Sequence, residues 1–332
     1  MRKADKKKCA LIFDCEFKNS DRFANGIKDS LNMEVVWFNY VANNCGKIKR
    51  YALYMLKPFQ FLFKMKKYSL IICWQQFYGI FLLFFTRIFH LKKDIAILNF
   101  IYIDKRGILG NVFYKFISFC IKSRNLKKIF VNSSAESQKY SELFNIPIDK
   151  FYYQRINFNI NDYPKLVVKK GKYFVSAGRS NRDYDFLVNT FKSLDDELYI
   201  VCDTYKPKTE LTKNIHILKD CFNDSYFKLL SECFASIISL GDSDSSSGQL
   251  AIFDSAQYSK PIIVTKNKGI EDYLVPNCIL IDKNIDSLKS AIKSLKDEKF
   301  YSDKTVKNDY NNEAIYFFAL NIGTNIKLAL TQ

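Results

Sequence analysis

Short apolar runs recur along the first half of the chain: "CALIFD" (9–14), "MEVVWFNYV" (33–41), "LIICW" (70–74), "IAILNFIYI" (95–103) and "KIFVNS" (128–133). Each is apolar at odd and even positions alike, the pattern of a strand covered on both faces in a parallel sheet. Between them, a helical period predicts helices over 21–31, 48–68, 78–91, 111–123 and 135–145. The polar stretch "NFNINDYPKLVVKKG" (157–171) breaks both periods,. The alternation then resumes, with strands at "KYFVSAG", "ELYIVCD", "NIHIL", "ASIISL", "PIIVT" and "CILID", and helices over 183–194, 222–233, 248–259 and 284–297. The chain therefore reads as α/β, with two parallel sheets built in tandem.

Two segments test that reading against a membrane or a leader. Ser69 to Thr86 is uncharged and close to the length of a spanning helix, but Gln75, Gln76 and Gly79 sit in its middle,. A buried strand, a polar turn and a helix fit it better. The basic start "MRKADKKKCALIFDCEF" has an apolar run cut short by Asp14 and Glu16, so it reads as a first strand in a cytosolic protein rather than a signal peptide,.

Charge changes the picture more than composition does. The net charge of +17 is concentrated in residues 1–150, which hold 27 Lys and Arg against 11 Asp and Glu, whereas the remainder holds 24 against 23. Such asymmetry points to an anionic partner for the first half, either an anionic membrane surface or nucleic acid. No RNA- or DNA-binding module is recognisable, and the aromatic residues sit mostly in apolar runs. Nine cysteines without a C-x-x-C pair, and only two histidines (His90 and His216), offer no metal cluster; the cysteines are expected to be reduced core residues,.

In open α/β sheets ligands gather outside the carboxyl ends of strands. Two loops of the second half stand there. In "SAGRSNRDYDFL", Gly178 permits a sharp turn, Arg179 and Arg182 supply positive charge, and Asp183 can cap the next helix,. In "DSDSSSGQLAIFDSAQYSKPIIVT", Ser245, Ser246, Ser247 and Gly248 stand where a helix should begin, so its free N–H groups and dipole favour an anion,. A single serine capping the helix would be the ordinary alternative. "DSD" at Asp242 to Asp244 is a three-letter match to a metal motif in the wrong surroundings, and neither G-x-G-x-x-G nor a P-loop occurs,.

The second half, from about Lys172 to Asp282, resembles the donor-binding domain of retaining GT-B glycosyltransferases of the large bacterial family 4, which build capsule, exopolysaccharide and lipopolysaccharide. The resemblance rests on "SAGRSNRDYDFL", "YIVCD", "SSSGQLAIFDSAQYSKPIIVT" and "GIEDYL" in the family's order and spacing; "LIICWQQFYGI" and "VNSSAESQKYSELFNIP" resemble the first half more loosely. It implies the GT-B fold, two Rossmann-like domains with a cleft between them. Residues 1–160 would bind the acceptor and 161–312 the nucleotide sugar. A helix in 313–332 would return to the first domain.

Carried over by position, the resemblance puts Gly178, Arg179, Arg182 and Ser245 to Gly248 on the donor diphosphate, Arg179 also serving catalysis. Asp203, His216 and Asp254 fall on the nucleoside, and Gln75, Gln76, Tyr78 and Lys105 on the acceptor side. The family's paired glutamates align with Ser246 and Asp254, and its histidine after the fourth strand is replaced by "NFIYIDKRG", where Asp104 is the foremost polar group beside Tyr102 and Lys105. The expected partners are a nucleotide sugar, a glycan or lipid-linked acceptor and a peripheral anionic membrane surface at the inner face of the cell membrane. A partner subunit is possible; neither nucleic acid nor a metal or other cofactor is expected. Because both glutamates are changed, a non-catalytic nucleotide-sugar-binding subunit stays open beside the enzyme, as does a basic nucleic-acid binder.

Overall fold

The computed structural model describes residues 7–16, 20–40, 46–156, 163–243, 245–297 and 314–331. Asp244 and the first part of the predicted connection lie outside them. The chain divides into two compact units, residues 1–159 with 310–332, and residues 160–309.

The first unit is a six-stranded sheet in the order β2-β1-β3-β4-β5-β6, parallel throughout. Its strands are β1 (Lys8–Phe13), β2 (Glu34–Asn39), β3 (Leu70–Cys73), β4 (Asp94–Ile97), β5 (Leu126–Val131) and β6 (Phe151–Tyr153). The helices are α1 (Ser20–Leu31), α2 (Lys47–Phe61), α3 (Gln76–Ile88), α4 (Gly107–Ile121), α5 (Ser134–Phe144) and a C-terminal helix, Ala314–Thr331. Because side chains alternate along a strand, Ala10 and Ile12 meet a core formed with α2 to α5, while Cys9, Leu11 and Phe13 meet one formed with α1 and the C-terminal helix,. That double burial is why both parities had to be apolar.

The C-terminal helix is long and apolar enough to cross a membrane, yet 44% of it is buried and it lies along α1. Two glycines allow the approach. A Cβ on Gly26 would stand 2.4 Å from the Tyr316 carbonyl oxygen, and one on Gly323 would stand 1.8 Å from Ser30 Oγ.

The second unit repeats the scheme in the order β12-β11-β10-β7-β8-β9, again parallel. It contains β7 (Tyr173–Ala177), β8 (Glu197–Val201), β9 (Ile215–Leu218), β10 (Ala235–Ile238), β11 (Ile262–Thr265) and β12 (Cys278–Ile281). Helices α6 (Tyr184–Phe191) and α9 (Ile285–Lys296) cover one face through Leu187, Leu288 and Ile292. Helix α7 (Asp224–Glu232) covers the other through Tyr226 and Leu230, and α8 (Gln249–Gln257) packs beside it.

One sequence expectation is corrected, and one strand is added that the sequence did not show. The run 95–103 is a strand only as far as Ile97, because Asn99 takes a left-handed conformation (φ 51°) and turns the chain out of the ladder,. Residues 151–153, too short to show a period, form the edge strand β6. The uncharged segment 69–86 is the buried strand β3 followed by α3. All eight described cysteines are free thiols.

Candidate functional site

In each sheet the strand order reverses once, and the crevice beyond that point is where an α/β fold admits a ligand. In the second unit the reversal falls between β7 and β10, so it is flanked by loop 178–183 and by loop 239–248, the serine run.

Hydrogen bonds lace these loops together. Asn181, in the left-handed region at φ 49°, donates from Nδ2 to the Ser243 carbonyl (3.0 Å) and to Ser247 Oγ (2.9 Å), and its own carbonyl accepts from Gly241 N–H (3.1 Å). At the end of β11, Thr265 Oγ1 accepts from Leu240 N–H (2.8 Å), and two residues beyond it Asn267 Nδ2 donates to the same Ser243 carbonyl (2.9 Å). Gly269 lies against the serine backbone so closely that a Cβ there would stand 2.8 Å from Ser245 C and O and from Ser246 N. Three strand ends thus fix one loop.

That loop delivers Gly248, left-handed at φ 94°, as the N-cap of α8, and no side chain caps the helix. The other helices of the unit are each capped by a side chain: Asp183 on α6, Asn223 on α7 and Asn284 on α9. The serines do not fill that role on α8, since Ser245 Oγ accepts from Ser243 Oγ (3.0 Å) and Ser246 Oγ accepts from Gln249 Nε2. The first turn of α8 thus has no side-chain cap among the described residues, and a helix start of that kind, with the positive end of its dipole, has the chemistry to accept an anion,.

The remaining residues expected on the donor side lie near these loops, with His216 the exception. Arg179 pairs with Asp203, its Nε donating to Oδ2 (2.7 Å), and its guanidinium lies 4.4 Å from the Phe222 ring centroid; over half of its side chain stays exposed. The Asp220 N–H (2.8 Å) and then Arg179 hold the Asp203 carboxyl below the usual carboxylate range. Arg182 folds back along Gly178 and donates to the Ala177 (3.1 Å) and Ser180 (2.8 Å) carbonyls, and burial lowers its pKa. A Cβ on Gly178 would meet that guanidinium at 2.7 Å. Asp254 on α8 is only 5% exposed and accepts from Tyr163 Oη (2.8 Å) and Tyr226 Oη (3.3 Å). His216 lies mid-strand, stacked on Tyr199 and bonded to Glu197 at the amino end of β8, away from the two loops.

A cavity of about 310 Å³ adjoins the serine loop on its β11 side, lined by Gly241, Asp242, Lys266, Asn267, Lys268 and Lys283, among others. Asp242 is ion-paired to Lys283, which also reaches Asp183 (3.4 Å). Among the described residues no group of three His, Cys, Asp or Glu side chains could hold a metal ion. Asn181 and Asn267 were not singled out from the sequence. The "SN" of a strand-to-helix turn, where asparagine tolerates positive φ, was the available signal for Asn181.

In the first unit the reversal falls between β1 and β3. There Gln75 caps α3 by accepting from Phe77 N–H (3.0 Å), and its Nε2 lies 3.4 Å from Asp14 Oδ2 and 3.3 Å from Tyr54 Oη. Gln76 Oε1 accepts from Ile101 N–H (2.9 Å) and so anchors loop 98–106, on which Asp104 is exposed. Lys105 lies over the Phe113 ring (4.4 Å). Tyr78 is buried and donates to the Tyr40 carbonyl (2.8 Å).

No protein-family model matches the chain, and no curated protein matches it. Solved structures do. A lipopolysaccharide outer core galactosyltransferase, WaaB in its apo form, is 13% identical with a TM-score of 0.60, covering 95% of this chain and 98% of its own. Alr3699/HepE of Anabaena, solved with UDP and glucose, is 12% identical with a TM-score of 0.60, covering 97% and 98%. The sucrose-phosphate synthase of Thermosynechococcus elongatus is 11% identical with a TM-score of 0.60, covering 98% and 94%. The chain has the two-unit α/β fold of these GT-B glycosyltransferases.

Proposed function

We propose that the protein is a glycosyltransferase that moves a sugar from a nucleotide-diphosphate sugar, a UDP-sugar foremost, to a glycan or lipid-linked acceptor in bacterial surface polysaccharide synthesis. The observation that carries the reading is the uncapped N-terminus of α8, held by three strand ends at the reversal point of the second sheet. The structural neighbour HepE was solved with UDP-glucose, which supports the choice of donor. In this reading the α8 amides and Arg179 take the diphosphate, and Arg182 stiffens the turn behind Gly178. As the sugar gains oxocarbenium character, fixed dipoles and the arginine stabilise the leaving diphosphate. The acceptor hydroxyl attacks from the face of departure, giving retention without a bound metal, with Asp104 as the polar group on the acceptor side. The excess of positive charge in the first half supports a peripheral location at the inner face of the cell membrane,.

Thermal stabilisation against a panel of UDP-, GDP- and dTDP-sugars tests the donor, since a ligand of the native state raises apparent stability with its concentration. UDP-sugars should shift the midpoint and the others should not; no shift with any of them ends the reading. Turnover should survive EDTA, and loss restored by Mg²⁺ or Mn²⁺ overturns metal independence. A second reading, a non-catalytic nucleotide-sugar-binding subunit, is favoured by Asp254 being engaged by two tyrosines and by Ser246 standing where the family has a glutamate. Release of nucleoside diphosphate only when acceptor is present separates the two.

A further inference from the structure

The first unit contains a second basic feature, far along the strands from its reversal point. At the amino ends of β4 and β5, a cavity of about 600 Å³ is lined by Arg87, Lys92, Lys93, Lys122, Arg124 and Lys127, with His90 and one carboxylate, Asp94. Arg87 donates to the Phe119 carbonyl, Lys93 to the Tyr68 carbonyl, and Lys127 pairs with Asp94 (3.4 Å). The side chains of Lys92, Lys122 and Arg124 make no ion pair or hydrogen bond among the described residues. The C-terminal ends of α3 and α4 also face this region, but two helix termini offset only about one unit of charge. Six cations against Asp94 leave a surplus that those termini do not cancel.

The cavity borders an apolar surface. Phe63 (81% exposed), Phe59 (40%), Phe85 and Phe89 (50%) form a chain of ring contacts from α2 onto α3, with centroids 5.3 to 6.4 Å apart. Phe84 and Phe119 continue it to α4 at 6.2 Å, and the guanidinium of Arg87, one of the cavity's lining residues, lies 4.0 Å over the Phe119 ring. Phe84, Phe85 and Phe119 are half-buried, and a protein seldom exposes the rest of such a connected aromatic band without a partner for it,. A second copy of the chain is disfavoured as that partner, because residues 46–128 hold seventeen Lys and Arg against Asp94 and Asp104, and a twofold contact would set like charge on like,.

We propose that this cavity binds the phosphate of an anionic lipid headgroup while the aromatic band rests on the acyl boundary, so that the first unit is attached to a bilayer at one defined place. The proposal rests on the peripheral-membrane reading and narrows it to a site.

The test is flotation of the full chain with phosphatidylcholine vesicles, with and without phosphatidylglycerol. The parent should bind only the anionic vesicles, and millimolar inorganic pyrophosphate should compete. The triple variant Lys92→Gln/Lys122→Gln/Arg124→Gln should bind about ten- to a hundredfold more weakly, from roughly 1 kcal/mol for each cation at an anionic surface. Lys64→Gln/Lys66→Gln/Lys67→Gln removes the same charge outside the cavity and should cost clearly less. Equal losses from the two triples would mean a diffuse basic field and end the proposal while leaving membrane attachment standing. Phe63→Ser/Phe89→Ser, at exposed positions, should weaken vesicle binding and leave pyrophosphate binding, measured by calorimetry with the donor site saturated by UDP, unchanged. A parent that, with its donor site saturated by UDP, still binds pyrophosphate but no vesicle would make free phosphate the ligand and overturn the lipid assignment; equal binding to neutral vesicles would overturn the phosphate. UDP affinity of each variant, expected to be unaltered, keeps these outcomes separate from the donor site.

Discussion

The two sheets reverse their strand order in the same way, but the helices beyond the reversal begin differently. In the first unit α3 starts at a side-chain cap, Gln75, with the Asp14 carboxylate 3.4 Å from its amide. In the second, α8 starts at a left-handed glycine with no side-chain cap. A capped terminus beside a carboxylate repels an anion and offers hydrogen bonds to hydroxyls, whereas an uncapped one attracts phosphate. One topology therefore presents two chemistries, and in the proposed reading the first meets a sugar-like acceptor and the second a nucleotide diphosphate. The distinction lies in a few loop residues rather than in the fold.

The largest expected effect comes from disturbing the loop that keeps α8 uncapped. In Gly269→Val the new side chain would have to occupy space now filled by the Ser245 and Ser246 backbone, and overpacking of this kind typically costs about 1 to 3 kcal/mol,. UDP affinity measured by calorimetry should fall at least about tenfold, since a displaced loop no longer aims the amides. Wild-type affinity in a folded Gly269→Val protein would break the comparison at its root.

Arg179→Ala should follow, weakening UDP binding by about ten- to a hundredfold, as a charge-assisted contact of roughly 1.5 to 3 kcal/mol implies. The Asp203 pair is largely solvent-exposed on the arginine side, so the unfolding midpoint should move little,. A large loss of stability with unchanged UDP affinity would make Arg179 a structural residue. Asn181→Ala sharpens the point, because it removes the tie between the two loops without removing a charge.

The strands were readable because burial on both faces forces both parities to be apolar, and the serine loop because its composition suits a helix start. What was not readable depends on bonds between distant segments. Nothing local marks Asn267 as the second tie on Ser243, or Tyr163 as the residue that reaches Asp254 across 91 positions. Asn99 stops β4 through backbone conformation, and the apolar residues after it gave no sign of the break. Arg182 had the charge of a phosphate ligand in sequence, while its hydrogen bonds to two backbone carbonyls are set by the turn at Gly178.

A smaller effect is expected at the first reversal point. Gln75→Ala removes the cap of α3 and its bonds toward Asp14 and Tyr54, so unfolding by urea should show a loss of about 1 kcal/mol,. UDP affinity should be unchanged. If nucleotide binding fell as it does for Gly269→Val, the assignment of the anion to the second sheet alone would fail.

The smallest effect tests how Asp203 holds Arg179 beside the second reversal point. The Asp220 N–H and Arg179 lower the Asp203 pKa in the folded protein, so the folded state favours the carboxylate more than the unfolded chain does. That contribution is fully present above the ordinary aspartate value of about 3.9 and is lost as pH falls through the lower folded value. The urea midpoint of the wild-type protein should therefore decline in this acid window, and Asp203→Asn, which cannot ionise, should lack this part of the decline. At pH 6, where that contribution is fully present, the gap between the two proteins should be at its widest, and it should close as pH falls through this window. A decline of the same depth in both proteins would mean that Asp203 is not held ionised by these partners, and that Arg179 is positioned by its packing on Phe222 instead.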